Sequence, residues 1–165
     1  MSSFTTPLVV EDLGNRKFKL KEPFIFWFYW DIGFFDSPPP EPAIKYEVEV
    51  LPGLITDYAS VPRIFWPILP PYGRYGKAAV LHDALYQFNV FPRIICDKLF
   101  LLAMKVLKVP KWKRKTMYFA VRLFGGNAYD NYRERLEKNL MPLPEYPDDK
   151  LLVIVRKKNK KGGLV

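Results

Sequence analysis

The chain has 165 residues, of which 49% are hydrophobic and 26% are charged. This composition supplies a buried core and excludes a chain that is disordered throughout. The single cysteine, Cys96, excludes an internal disulfide framework and a zinc site built from cysteines. No apolar run reaches the roughly 20 residues that cross a bilayer, and the first residues lack the pattern of a signal peptide, so we expect neither feature.

The net charge of +9 is unevenly distributed along the chain. Residues 1–99 carry 10 Lys/Arg and 11 Asp/Glu, whereas residues 100–165 carry 16 Lys/Arg and 6 Asp/Glu. Such asymmetry favours a polyanion or an acidic partner for the C-terminal part. The alternative interpretation is a basic surface that only keeps the protein in solution.

The first third of the chain predicts an antiparallel sheet. Segments 7–11, 16–20 and 43–51 are short, and the last two alternate in polarity as strands with one wet face do. A hairpin turn is predicted at 13–15 (LGN). The aromatic run 24–30 (FIFWFYW) fits a strand that is buried on both faces, or one that presents an edge to a partner.

Proline dominates the next part of the chain, and helices follow it. The three consecutive prolines in 36–42 favour an extended loop, and 51–76 is rich in proline, glycine and large apolar residues, which predicts a loop pinned onto the core. Apolar residues then repeat at three and four positions, as in helices. The predicted helices cover 76–88, 92–109, 111–124 and 127–139.

The expected fold is therefore α+β: an N-terminal antiparallel sheet, a Pro-rich apolar loop, then three to four helices including a central helix hairpin. We expect residues 1–150 to form a single domain. Residues 151–165 are predicted to supply a final strand, over 151–155, and a basic flexible tail.

His82 is the only histidine and the main candidate for chemistry. Tyr86 lies four residues later and shares its helix face. Asp97, on the next helix, lies opposite if the two helices form an antiparallel hairpin, because 82 and 97 are about equally far from the turn. A carboxylate facing an imidazole raises its basicity, as a general base requires. The same residues are also typical of a buried network that only holds two helices together.

A second constellation covers residues 56–63 (TDYASVPR). Thr56 and Asp57 can accept local backbone hydrogen bonds and fix the loop. The functional alternative makes Asp57 a metal ligand, or a partner of His82. Ser60 is a poor candidate nucleophile, because the G-x-S-x-G elbow and a second histidine are both missing.

The run 105–115 (KVLKVPKWKRK) is the candidate for binding a nucleic acid or another partner. A tryptophan between lysines can stack on a base while the lysines meet phosphates. A solvated basic face is the alternative. The candidate residues are Lys111, Trp112, Lys113, Arg114 and Lys115.

Five motifs occur in order along the chain: TDYASVPR (56–63), PYGRY (71–75), HDALY (82–86), DKLF (97–100) and FAVRLFG (119–125). With the residues around them, roughly 45–126 or about half the chain, they resemble the DUF1353 family. The resemblance implies a setting in tailed bacteriophages and prophages, and it implies no established activity.

From this resemblance we expect a virion-associated structural or accessory protein of the tail or neck region. It would be made in the host cytoplasm, be located in the phage particle and bind other virion proteins. Packaged DNA is a further expected partner of the basic C-terminal part. No cofactor is expected for this role.

The pattern H-D-x-x-Y, with an aspartate on the facing helix, is also similar to the core of phospholipase A2. That similarity implies a hydrolase with His82 as general base, Tyr86 and Asp97 as its supports, and Asp83 as a Ca²⁺ ligand. The disulfides of that family are absent, and only 72–76 (YGRYG) hints at its glycine-rich calcium loop. Calcium needs six or more oxygen ligands. A lipid-directed hydrolase is thus the alternative function.

Overall fold

The computed structural model describes residues 2–15, 17–29, 45–56, 75–138 and 153–158. The predicted loop at 36–42, most of the loop at 51–76 and the end of the tail lie outside these residues. Within them, the strands are β1 (Ser3–Phe4), β2 (Val10–Asp12), β3 (Phe18–Leu20), β4 (Phe24–Tyr29), β5 (Lys45–Val50), β6 (Ile55–Thr56) and β7 (Val153–Lys158). The helices are α1 (Gly76–Gln87), α2 (Arg93–Val106), α3 (Lys111–Phe124) and α4 (Gly126–Glu137). The expected α+β class is confirmed.

The strands form two antiparallel sheets, one ordered β1-β4-β5-β7 and the other β2-β3-β6. Strand β4 lies between β1 and β5, so it is an internal strand. Successive side chains of a strand point to opposite faces. On β4 the side chains of Phe24, Phe26 and Phe28 are buried in the core, whereas Trp27 and Tyr29 are half-buried on the other face. The aromatic run is therefore mainly a core strand.

The predicted hairpin turn at 13–15 connects β2 to β3. Gly14 has φ +75° and Asn15 has φ +49°, a left-handed conformation that glycine and asparagine tolerate best. The amide of Gly14 donates to Oδ1 of Asp12 at 2.8 Å, which holds the turn closed. The residues of the turn, Asp12, Gly14 and Asn15, thus determine the connection between β2 and β3.

Strand β7 extends further into the basic tail than the predicted range of 151–155. It pairs with β5 along its whole length. Lys158 donates to the carboxylate of Glu47 at 2.9 Å, and Arg156 pairs with Glu49. Basic side chains on the outer face of β7 therefore meet acidic partners on β5, which allows the strand to continue past its apolar residues.

Helices α1 and α2 end in the same way. Asn89 follows α1 with φ +47°, and the next amide, that of Val90, donates to the carbonyl oxygen of Leu85 at 3.1 Å. Lys108, with φ +55°, and Val109 repeat this pattern after α2. This arrangement is the Schellman motif, which stops a helix abruptly. The resulting short turns fold α1, α2 and α3 back on one another and form the predicted helix hairpin.

Helix α1 runs through the interior, because every one of its residues except Lys77 is buried. It packs against α2, α4 and β6. Lys77 Nζ donates to the carbonyl oxygen of Thr6 at 2.7 Å, and Gln87 Nε2 donates to that of Ile55 at 2.9 Å. One end of α1 is thus bonded to the segment after β1 and the other to β6, and His82 lies in the core between them. No helix among the described residues is long and apolar enough to cross a membrane.

The two faces of β4 should differ in their contribution to stability. Phe26→Ala removes a completely buried ring and should lower the free energy of unfolding by about 3–5 kcal/mol. Ile25→Ala, on the half-buried opposite face, should cost clearly less. Urea denaturation of both variants measures the difference, and equal losses would contradict this orientation of β4.

Candidate functional site

His82 and Asp97 meet in the interior, between α1 and α2. Nε2 of His82 lies 2.9 Å from Oδ1 of Asp97, and both side chains are 0% exposed. The hydroxyl of Tyr86 donates to the same Oδ1 at 2.5 Å. The structure therefore brings together the three predicted catalytic candidates. Their catalytic role stays a prediction.

The second oxygen of Asp97 is bound by arginine. The guanidinium of Arg122, on α3, donates to Oδ2 at 2.7 Å, and Nε of Arg93 lies 3.9 Å from the same oxygen. A buried carboxylate is costly unless it is paired and hydrogen-bonded. Both arginines were missed at the sequence level as parts of the site. The available signal was that a buried aspartate requires a cation and that Arg122 lies within the last of the five motifs.

Arg93 also holds the end of α3. Its Nη2 donates to the carbonyl oxygens of Val121 at 3.0 Å and Arg122 at 2.5 Å. These carbonyls are in the last turn of α3, where a cation is favoured, and that of Val121 also accepts the amide of Gly125 at 2.8 Å. The two arginines thus link α2 to α3 in both directions: Arg93 reaches from α2 to α3, and Arg122 reaches from α3 to α2.

Two glycines leave room for this arrangement at the junction of α3 and α4. A Cβ at Gly125 would lie 2.6 Å from the carbonyl oxygen of Val121 and 3.2 Å from the hydroxyl of Tyr86. A Cβ at Gly126 would lie 3.2 Å from Nη1 of Arg93. Gly125 directly follows α3 and Gly126 is the first residue of α4, and close packing against the network explains why glycine occupies both positions.

The electrostatics of the network favour an ionised Asp97. Burial opposes the charge, but hydrogen bonds from His82, Tyr86 and Arg122 outweigh it and lower the pKa of Asp97 below its ordinary 3.8. Burial, together with the bond to Asp97, raises the pKa of Tyr86. The hydrogen bond to Asp97 raises the pKa of Arg122. The stable state is thus a carboxylate facing a guanidinium and a neutral phenol.

The protonation of His82 follows from its partner. An ionised carboxylate only accepts hydrogen bonds, so Nε2 carries the proton that faces Asp97. In the neutral ring Nδ1 then keeps its lone pair. Nδ1 is buried and has no hydrogen-bond partner among the described residues. If His82 acts as a base, Nδ1 is the atom that accepts the proton.

Of the two predicted metal ligands, the structure describes only Asp83. The carboxylate of Asp83 accepts a hydrogen bond from Oγ1 of Thr56 at 2.5 Å, so it faces β6. Asp57 lies outside the described residues. Among those that are described, no group of three or more His, Cys, Asp or Glu side chains is placed to hold a metal ion. A Ca²⁺ role for Asp83 stays a prediction.

The predicted binding residues Lys111, Trp112, Lys113, Arg114 and Lys115 form the first five positions of α3. Trp112 is 58% exposed. Nζ of Lys113 lies 5.0 Å from the ring centroid of Tyr75, within the range of a cation–π contact. The predicted face is thus at the surface, and what it binds stays a prediction.

Comparison with known proteins places this site within a family. Residues 41–121 match the family described as "Protein of unknown function (DUF1353)". This segment belongs to the DUF1353 family. The DUF1353 segment includes β5, β6, α1, α2 and most of α3, and therefore His82, Tyr86 and Asp97. Arg122 is the first residue beyond it.

The chain is also similar to "Uncharacterized protein y4jT" of Sinorhizobium fredii (strain NBRC 101917 / NGR234). The two are 36% identical over 93 residues, which is 55% of this chain. The similar region covers 26% of y4jT, so the chain spans about a quarter of that relative's length. No solved structure matches the chain.

Asp97→Asn should destabilise the protein and change its response to acid. At pH 7 we expect a loss of about 3 kcal/mol, because Arg122 loses its buried counter-ion. The pKa of Asp97 is lowered in the folded state, so its contribution is complete above the ordinary value of 3.8 and disappears as the pH falls through the folded pKa. The variant should therefore lose stability less steeply in acid.

Urea unfolding between pH 7 and pH 2 measures both effects. Asp130→Asn is the matched control, because Asp130 is exposed and pairs only loosely with Arg133, at 4.0 Å. The assigned network is wrong if the two variants lose the same stability and keep the same acid response.

Proposed function

We propose that this chain is a structural or accessory protein of a tailed bacteriophage particle, in the tail or neck region, and that it acts by binding other virion proteins. The observation that carries the non-catalytic role is the complete burial of His82 and Asp97. A general base must reach the proton it abstracts. Here Nε2 of His82 and both oxygens of Asp97 are bonded to other side chains of the core. The network therefore serves to lock helices.

The phage setting rests on the resemblance to DUF1353, whose motifs the network shares. A surface suited to a partner protein lies on the outer face of the four-stranded sheet. The rings of Trp27 and Tyr29 meet there edge to face at 5.7 Å, and Nζ of Lys45 lies 4.5 Å from the Trp27 ring centroid. Aromatic side chains are enriched at protein interfaces. We propose this face as the contact with a neighbouring virion protein.

Mass spectrometry of purified particles tests the proposed role. The protein should remain with the particles through a density gradient, at a constant ratio to the other tail proteins. A Trp27→Ala variant should enter particles less efficiently, whereas Lys19→Ala, on an exposed position of β3, should enter normally. Detection in the infected-cell lysate but not in particles would refute the proposal.

A hydrolase is the second candidate, and one observation favours it. Nδ1 of His82 has no hydrogen-bond partner among the described residues, whereas Nε2 faces a carboxylate. An imidazole held by a carboxylate on one nitrogen and free on the other is the arrangement of a general base. Burial of the ring counts against it, because a substrate must reach Nδ1.

His82→Gln distinguishes the two roles. If the network is structural, the variant should lose about 2–4 kcal/mol of unfolding free energy, and the unaltered protein should not hydrolyse phospholipid vesicles with or without Ca²⁺. If His82 is a base, hydrolysis by the unaltered protein should be abolished in the variant while the melting temperature hardly changes. Asp130→Asn serves as the control for both readouts.

A further inference from the structure

Helix α3 exposes a row of large apolar side chains. Trp112 is 58% exposed, Phe119 is 59% exposed and Leu123 is 75% exposed. Their spacing of seven and four residues places them on one face of the helix. The opposite face, with Met117 and Val121, is buried against the core. We call Trp112, Phe119 and Leu123 the α3 stripe.

The surroundings of the α3 stripe are strongly basic. Residues 105–124 contain seven Lys/Arg and no Asp/Glu. Lys111 and Lys115 are exposed in the first turns of the helix, next to Trp112. The helix therefore combines an exposed apolar stripe with neighbouring charged side chains that are all positive.

We propose that α3 binds the surface of an anionic lipid bilayer, with the α3 stripe inserted among the headgroups and the lysines against lipid phosphates. Interfacial helices have this composition: Trp, Phe and Leu on one side and Lys/Arg beside them. Anionic lipids attract basic segments close to the membrane surface. This surface is separate from the sheet face proposed for virion contacts, and it does not depend on that role.

Area and charge favour a bilayer over a partner protein, a second copy of this chain or a nucleic acid. A partner protein is disfavoured because the α3 stripe offers roughly 300–400 Å² of apolar surface, about half of what each partner buries in a stable protein complex. A second copy of this chain would bring the same basic region opposite itself. A nucleic acid would use the lysines and Trp112 but would leave Phe119 and Leu123 without a role.

The fold holds the α3 stripe in position before any binding occurs. Arg93 bonds the last turn of α3, and Arg122 bonds α3 to Asp97 from the inner side. The stripe is therefore part of a helix already packed on the core. Binding would therefore require no free energy to form the helix, unlike binding by a segment that folds on contact.

Vesicle flotation with the full chain tests this proposal. Vesicles of phosphatidylcholine containing about one third phosphatidylglycerol should carry the protein, and pure phosphatidylcholine vesicles should carry much less, with binding that weakens as salt is added. The pair Phe119→Ser and Leu123→Ser should weaken binding by about tenfold or more. Lys111→Gln with Lys115→Gln should weaken it as well and reduce the salt dependence.

Matched controls replace exposed residues on the opposite part of the chain: Leu13→Ser for the apolar pair and Lys19→Gln for the basic pair. Both should bind as the unaltered protein does. Brominated phospholipids should quench tryptophan fluorescence in the unaltered protein, and most of that quenching should vanish in Trp112→Phe. This readout supports insertion even if the double variant has a lower melting temperature.

Several results would overturn the proposal. They are equal binding to neutral and anionic vesicles, unchanged binding by the stripe variants, or quenching that survives Trp112→Phe. Salt-dependent DNA binding that ignores Phe119→Ser, without vesicle binding, would assign the basic region to nucleic acid instead. Dimers that the stripe variants abolish, again without vesicle binding, would assign the stripe to a second copy.

Discussion

The helical half of this protein depends on the hydrogen bonds and the ion pair that surround the buried carboxylate of Asp97. A charge in the interior is tolerated only with partners, and Asp97 takes them from His82 and Tyr86 on α1 and from Arg122 on α3. Three helices must therefore adopt one relative position for the charge to be compensated. Hydrophobic packing alone specifies such positions less strictly, because apolar contacts have no direction.

The same network limits what the site can do. The contacts that compensate Asp97 occupy one nitrogen of His82, and packing against Tyr86 and Phe100 covers the ring, with centroids 4.1 and 4.8 Å away. Nδ1 of His82, which has no hydrogen-bond partner among the described residues, is the ring nitrogen that can act as a base. The same geometry thus fits a network that only holds helices together and a carboxylate–histidine pair that acts as a general base. Access of a substrate to Nδ1 of His82 distinguishes the two roles. Burial of both side chains favours a network that holds the helices together.

The parts predicted from the sequence are those in which local chemistry decides the structure. The helices predicted over 76–88 and 92–109 follow from apolar periodicity and are observed as α1 and α2, and the turn at 13–15 follows from residues that accept positive φ. The meeting of His82 with Asp97 followed from their equal distance to a short turn. Arg122 was not predicted, because it lies next to Asp97 only through the packing of α3 on α2, which no spacing along the chain encodes. Arg93 precedes Asp97 by four residues on α2, and that helical spacing was a signal that the sequence prediction did not use.

By itself the sequence determined the α+β class, the helix hairpin, the kinship with DUF1353 and the concentration of positive charge in the C-terminal part. The tertiary structure alone decided the pairing of β7 with β5, the burial of His82 and the exposure of the α3 stripe. The physical reason is that periodicity reports which residues share a face of an element. Whether that face meets the core, a cation or solvent depends on distant segments, and only the folded chain brings these together.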